Sequence, residues 1–274
     1  MIFKAACIQN SATPDVDHDI GVLSRLIGKA ASAGARFIAT PEYCAGLDTK
    51  DGLLFPFARA EPDHPVIPAL AALAVQHGAW ILIGSIGVKA PDGRIFNRSI
   101  LLNPQGAITA RYDKIHMFDV DLGDGNTYRE SATIAAGDKA VLSPCISGTI
   151  GLSVCYDLRF AGLYRAYGQA GATMLAIPAA FTKLTGEAHW HMLNRARAIE
   201  NGAYVIAPCQ YGTLAGGSRC YGHSLIVDPW GRVLAEGGEA ETVIVADIAP
   251  ELVDTTRRRI PSLRHDRPFA VGEV

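Results

Sequence analysis

Short apolar, β-branched runs alternate with amphipathic helical patterns along most of this chain, and that alternation is its strongest constraint. It demands sheets whose faces are covered by helices. Residues 2–9 (IFKAACIQ) read as a first strand. From Asp15 to Ala33, the residues Val16, Ile20, Leu23, Ile27 and Ala30 recur at steps of four and three, so one helix face is apolar. Gly34 ends that helix. Strands are expected at 36–40, 80–88, 149–154, 173–178 and 204–210, and helices at 66–77, 160–171 and 187–201. These strands are apolar on both faces, as strands buried between layers must be.

Two turns interrupt the rhythm. Asn103-Pro104-Gln105-Gly106 and Asp228-Pro229-Trp230-Gly231 each place Asn or Asp, then Pro, then Gly where a type I turn wants them. Each joins two strands, so the sheets are mixed rather than purely parallel. The repeated device hints at two similar halves. No Pro/Gly/Ser-rich linker divides the 274 residues, which read as one domain with a tail from about 258 that packs elsewhere.

Composition excludes several classes. Hydrophobic residues make up 49% and charged residues 19%, with a net charge of −2. No basic field is present for nucleic acid, and Arg257-Arg258-Arg259 reads as a solvated helix end. No window approaches the ~18 uninterrupted apolar residues of a membrane span. The N-terminus lacks the pattern of a signal peptide. The six cysteines form no C-x-x-C pair, and several lie in apolar runs; this is the usage of a cytoplasmic protein with reduced thiols.

Chemistry is expected where apolar strands end in abrupt polarity. Cys155 closes the strand 149–154 and precedes Tyr156-Asp157-Leu158-Arg159. A thiol there can act as a nucleophile, with the Tyr156 backbone N–H free to donate to an oxyanion. Glu42 follows the strand 36–40 and Pro41. A carboxylate so close to a buried strand needs a partner. Lys114 ends the first hairpin, where alternation puts Tyr112, Lys114 and His116 on one face. Together, a carboxylate base, a thiol and an ammonium suffice for acyl transfer.

The blocks PEYCAG around Glu42, YDKIHMFDVD around Lys114 and GLSVCYDLRF around Cys155 resemble the signature blocks of the nitrilase superfamily of carbon–nitrogen hydrolases. PAAFTKLTGEAHW (178–190), RARAIENGAYVIAPCQ (195–210), YGHSLIVDPWG (221–231) and RRRIPSLRHDRP (257–268) resemble the branch of deaminated-glutathione amidases and omega-amidases. The resemblance implies an α/β fold, a four-layer α-β-β-α sandwich of two stacked mixed sheets. It implies Glu42 as general base, Lys114 as oxyanion partner, Cys155 as nucleophile, and Glu130 as a second glutamate orienting the lysine. It also implies no cofactor, no metal, a cytosolic homo-oligomer (dimer or tetramer), and a tail from 258 packing on a neighbouring subunit.

Substrates in that branch carry carboxylates. Arg159 is the candidate to bind one bidentately, the alternative being a structural ion pair with Asp157. Thr185 could add a hydroxyl, the alternative being a turn or cap before the helix. Within the branch, the later blocks favour deaminated glutathione, with an omega-amidase acting on α-ketoglutaramate or α-ketosuccinamate as competitor. An N-carbamoyl amine hydrolase or a silent binding protein of this fold would be further alternatives. His191 stands where many relatives have an acidic residue. A papain-like enzyme would need His189, His191 or His223 as base. A metal hydrolase using His189 and His191 is disfavoured, because i and i+2 side chains diverge on a helix.

Overall fold

The computed structural model describes residues 1–50, 53–123 and 127–272. Its first sheet holds eight strands. Their order is Ile134–Ala135, Ile95–Leu102, Trp80–Lys89, Ala35–Ala39, Phe3–Gln9 and Thr242–Ile248, with Ile108–Asp113 paired to Ile95–Leu102 and Ala58–Arg59 to Trp80–Lys89. The second sheet runs Val141–Cys145, Gly148–Leu152, Met174–Ala176, Tyr204–Ala207, Leu225–Val227 and Val233–Glu236.

The two sheets repeat one plan. In the first, Phe3–Gln9, Ala35–Ala39 and Trp80–Lys89 are parallel neighbours, and Ile95–Leu102 and Ile108–Asp113 follow antiparallel. In the second, Gly148–Leu152, Met174–Ala176 and Tyr204–Ala207 are parallel, and Leu225–Val227 and Val233–Glu236 follow antiparallel. The matching hairpins turn at the two sequences read above, with Gly106 N–H bonded to Asn103 O and Gly231 N–H to Asp228 O, both at 2.9 Å. The hinted halves are therefore real.

Among the described residues, five α-helices complete the layers: α1 (Val16–Ser32), α2 (Val66–His77), α3 (Ala161–Gln169), α4 (Lys183–Asn201) and α5 (Pro250–Arg259). Asp15 caps α1 by accepting the His18 N–H at 3.0 Å. The apolar face of α1 (Leu23, Ile27, Ala30) and α2 (Leu70, Ala74) packs on Ala6, Ile8, Ile38, Ile81 and Ile83 of the first sheet. The opposite face of that sheet (Ala5, Cys7, Phe37, Leu82) shares a core with Val205, Ile206 and Ile226 of the second. Tyr164 of α3 with Trp190 and Ala198 of α4 belongs to the same core. The order α-β-β-α follows from strands whose two faces are both apolar.

Some expectations shift. Helix α4 begins at Lys183, four residues early, with Thr182 as N-cap. Thr185 therefore sits inside the first helical turn rather than ahead of it. The arginine run is indeed the last turn of α5, but only its end is solvated. Arg257 reaches inward to Asn201 O (2.9 and 3.0 Å) and Ala172 O (2.5 Å), tying α5 to the ends of α4 and α3. The tail beyond 258 docks first on its own chain. Arg165 of α3 bonds Ser262 O at 2.7 Å and pairs with Asp266. Phe269 and Val271 then stand exposed. Among the described residues, no helix is long and apolar enough to cross a membrane.

Candidate active site

Glu42, Lys114 and Cys155 come from three strand ends and meet at the floor of one pocket. Each is positioned by its own local device.

Glu42 follows Thr40 and Pro41, which lie hard against the strand Trp80–Lys89. A Cβ on Gly84 would stand 1.9 Å from Thr40 O and 2.4 Å from Pro41 O, so only glycine allows this approach. Hydrogen bonds then lock the segment. Gly84 N–H donates to Thr40 Oγ1 (2.9 Å), Ser85 N–H to Pro41 O (3.2 Å), and Tyr43 N–H to Ser85 Oγ (2.8 Å). Tyr43, directly after the glutamate, is held at φ 45°.

Lys114 ends the hairpin strand Ile108–Asp113. Arg98 grips the preceding Asp113 through two bonds of 2.7 and 2.8 Å. Behind the lysine, Gly137 N–H donates to Lys114 O at 2.8 Å, and a Cβ there would meet Asp113 O at 2.2 Å. Cys155 opens a 3₁₀ turn (Cys155–Arg159) and has φ 50°, the left-handed region that side chains normally avoid. Its N–H donates to Pro178 O at 2.8 Å. Asp157 braces the elbow from inside. Its carboxylate accepts the Val154 N–H (2.9 Å), the Tyr112 hydroxyl (2.7 Å) and the His116 N–H (3.0 Å), with His116 Nδ1 at 2.7 Å.

The functional groups form one buried network. Lys114 Nζ donates to Glu42 Oε1 (3.1 Å) and to both oxygens of Glu130 (2.9 and 2.8 Å). Glu42, Lys114, Glu130 and Cys155 are 2%, 1%, 5% and 9% exposed, so water screens none of these charges well. Asn97 Nδ2 donates to Glu42 Oε1 at 2.8 Å, and Ala180 N–H to Glu42 Oε2 at 2.7 Å. Phe118 N–H holds Glu130 Oε2 at 2.7 Å. Neither Asn97 nor the Ala180 amide was legible in the sequence. The first sits mid-strand, and the second is backbone.

Burial pushes the Lys114 ammonium toward neutrality, but Glu130 and Glu42 outweigh it and hold its pKa well above the ordinary lysine value. Burial pushes the Cys155 thiol well up, and the Glu42 carboxylate pushes it further while Lys114 pulls back. Both directions favour a neutral thiol beside a charged ammonium that Glu42 and Glu130 share by hydrogen bonds. Such a set can move a proton off the thiol only as the thiol attacks, and it has a cation ready for a developing oxyanion.

The pocket above holds about 580 Å³ of space including its open mouth. Its walls include Phe118, Tyr128, Tyr156, Phe181, Thr185 and Arg219. Thr185 is buried, its Oγ1 2.7 Å from Thr182 Oγ1. Among the described residues, Arg159 is not part of the lining. Its guanidinium lies 5.7 Å from the Tyr156 ring and 5.4 Å from the Phe181 ring, with Nη1 3.3 Å from His189 Nδ1. It makes no ion pair with Asp157, whose oxygens are taken by the elbow. Arg219 was missed because its strand, Arg219–Tyr221, is too short for periodicity to reveal. His189 and His191 diverge as expected, His189 toward Arg159 and His191 toward Glu236 at 3.1 Å.

This fold, with a thiol facing a lysine-bridged pair of glutamates, is that of an enzyme that cleaves carbon–nitrogen bonds. The sequence profile of the carbon–nitrogen hydrolases matches residues 4–258. A deaminated glutathione amidase from Synechocystis sp. (strain PCC 6803 / GT-S) is 39% identical over 271 residues, covering 96% of this chain and 97% of that protein. Omega-amidase NIT2 from Xenopus tropicalis is 34% identical over 267 residues, covering 97% and 95%. Among solved structures, the C. elegans NitFhit protein superposes with a TM-score of 0.87 at 30% identity, over 97% of this chain and 65% of that longer one. Saccharomyces cerevisiae Nit3, of branch 10 of the nitrilase superfamily, gives 0.83 at 28% identity, over 95% and 94%. The chain belongs to the carbon–nitrogen hydrolase family, in the nitrilase-superfamily branch of its amidase relatives. It is an amidase, and its reactants are a small-molecule amide and water.

Proposed function

We propose that the chain hydrolyses deaminated glutathione through a Cys155 thioester. The observation that carries this reading is the Lys114 ammonium bridging Glu42 and Glu130 beneath the thiol. Glu42 takes the Cys155 proton as sulfur attacks the amide carbon. The oxyanion forms against Lys114 and the Tyr156 N–H, which stands at the second position of the 3₁₀ turn, where amides lack partners within the turn. The carbon–nitrogen bond breaks as Glu42 returns the proton to the leaving amine. Glu42 then takes a proton from water, the hydroxide cleaves the thioester, and the thiol regains its proton. Glu130 keeps the ammonium in place throughout.

Two guanidiniums support an anionic substrate. Deaminated glutathione has a carboxylate at each end, whereas α-ketoglutaramate has one. Arg159, against the Tyr156 and Phe181 rings of the pocket wall, suits the keto-acid carboxylate once its side chain swings into the pocket. Arg219, exposed on the pocket wall, suits the remote one. Arg159→Gln should raise KM for both compounds by about 10- to 100-fold, the value of one charge-assisted contact. Arg219→Gln should raise KM for deaminated glutathione alone. Equal effects of Arg219→Gln on both would favour the omega-amidase reading.

The direct test is a panel of deaminated glutathione, α-ketoglutaramate, an N-carbamoyl amine and a simple nitrile, read as release of free amine or ammonia. Deaminated glutathione should give the highest kcat/KM. Turnover of the nitrile with no amide cleaved would sink the proposal. We also propose that the enzyme works in the cytoplasm as a homo-oligomer, a dimer or tetramer. Supporting this, α4 exposes Leu184, Met192 and Ile199, and the tail exposes Phe269 and Val271. A neighbouring subunit would cover both.

A further inference from the structure

Away from the pocket, three side chains from three elements converge on one point. His191 comes from α4, His223 from the segment after the strand Arg219–Tyr221, and Glu236 from the end of Val233–Glu236. His191 Nε2 lies 3.1 Å and His223 Nδ1 2.6 Å from the same oxygen, Glu236 Oε1. All three potential ligand atoms lie within 4.8 Å of one another. In a tetrahedral zinc site with bonds of about 2.0–2.2 Å, ligand atoms stand roughly 3.3 Å apart. Opening the His223–Glu236 side by roughly 0.7 Å and the His191–Glu236 side by about 0.2 Å would bring both imidazole nitrogens to that spacing from the carboxylate oxygen.

The setting favours a built site over a chance meeting. His223 is fixed by its backbone, at φ 50°, with its N–H donating to Gly238 O at 2.6 Å and its carbonyl accepting the Trp190 indole N–H at 2.8 Å. A non-glycine residue held in that conformation costs of order 1–3 kcal/mol, and the hold aims the ring. The ring also stacks on Tyr221, with centroids 4.3 Å apart. Its far nitrogen, Nε2, faces Glu239 Oε1 at 3.8 Å. A carboxylate hydrogen-bonded behind a histidine orients metal-binding imidazoles; here it stands beyond hydrogen-bond distance and is shared with Lys183 at 3.4 Å.

We propose that His191, His223 and Glu236 bind a zinc ion, with water as the fourth ligand. Two imidazole nitrogens and one carboxylate oxygen are donors that zinc accepts. None of the three lines the pocket, so the ion takes no part in amide cleavage there. It clamps α4, which carries Thr185, to the neighbour of the strand carrying Arg219 and Cys220, all three of which line the pocket.

The test uses the full chain with Cys155→Ala, so that the pocket thiol does not compete for metal. Zinc chloride is titrated against it by calorimetry, and Tm is measured with and without zinc. One equivalent should bind, and Tm should rise with zinc. His191→Ala, His223→Ala and Glu236→Gln should each weaken binding by at least about 10- to 100-fold and abolish the rise in Tm. Glu236→Gln changes a part-exposed side chain, so it gives an answer even where His223→Ala disturbs folding. Absence of zinc binding, or binding undiminished in any of the three variants, would overturn the proposal.

Discussion

Lys114→Met should destabilise the protein by about 3–5 kcal/mol while also abolishing amide cleavage. The lysine is buried against Glu42 and Glu130, and methionine fills its volume without its charge. Two carboxylates then remain in a site that no longer holds their common cation. Removing one partner of a buried ion pair leaves the other charge desolvated, which is the costly case. The remaining donors, Asn97, the Ala180 amide and the Phe118 amide, satisfy part of each carboxylate but supply no charge.

The loss should depend on pH in a definite direction. Burial already holds the Glu130 pKa above the ordinary glutamate value, with Lys114 opposing. Removing Lys114 raises it further. A carboxyl whose folded pKa is raised costs nothing below its unfolded pKa of about 4.3, because it is protonated in both states. The cost grows as pH rises from there to the folded pKa. Lys114→Met should therefore lie closest to the parent protein near pH 5 and furthest at pH 8, in denaturant melts at matched ionic strength. Adding Glu130→Gln should recover part of the stability at pH 8 and none of the activity. A flat pH dependence would mean that the carboxylates are not facing one another as placed.

How much of this was readable beforehand depends on whether a residue announces itself locally. Glu42 and Cys155 did, because each follows an apolar strand with abrupt polarity, and Lys114 did through its place at a hairpin end on one face with Tyr112 and His116. Asn97 did not. It lies within IFNRSILL, where a polar residue normally marks the solvent face, and its partner Glu42 is 55 residues away. The Ala180 amide that holds Glu42 Oε2 has no side-chain signature at all. Helix α5 was legible only at its arginine end, because just Val253 and Thr256 of its ten residues are buried, too few for an apolar stripe. Pro250 at its start, Glu251 in its first turn and three arginines in its last were the signals available. Arg159 was read by its distance from Cys155 along the chain. Its guanidinium lies beside the Tyr156 and Phe181 rings and His189, neighbours set by the fold and not by spacing along the chain.

Cys155→Gly should lose at least about 10⁴-fold in kcat and yet be more stable than Cys155→Ala by about 1 kcal/mol. Both variants lack the sulfur, so both should be equally dead toward any amide. They differ in the backbone. At φ 50°, a Cβ strains position 155 by about 1–2 kcal/mol, and glycine is free of that strain. Glycine gives back part of the gain through the greater freedom of the unfolded chain. The strained conformation is maintained by the bonds around it: Cys155 N–H to Pro178 O and Val154 N–H to Asp157. Together these turn the thiol off the end of its strand toward Glu42 and Lys114. Equilibrium denaturation of the two variants, with activity measured on the same samples, checks the claim. If alanine proved as stable as glycine, position 155 would carry no strain. The left-handed elbow would then be a comfortable turn rather than a cost borne to aim the nucleophile.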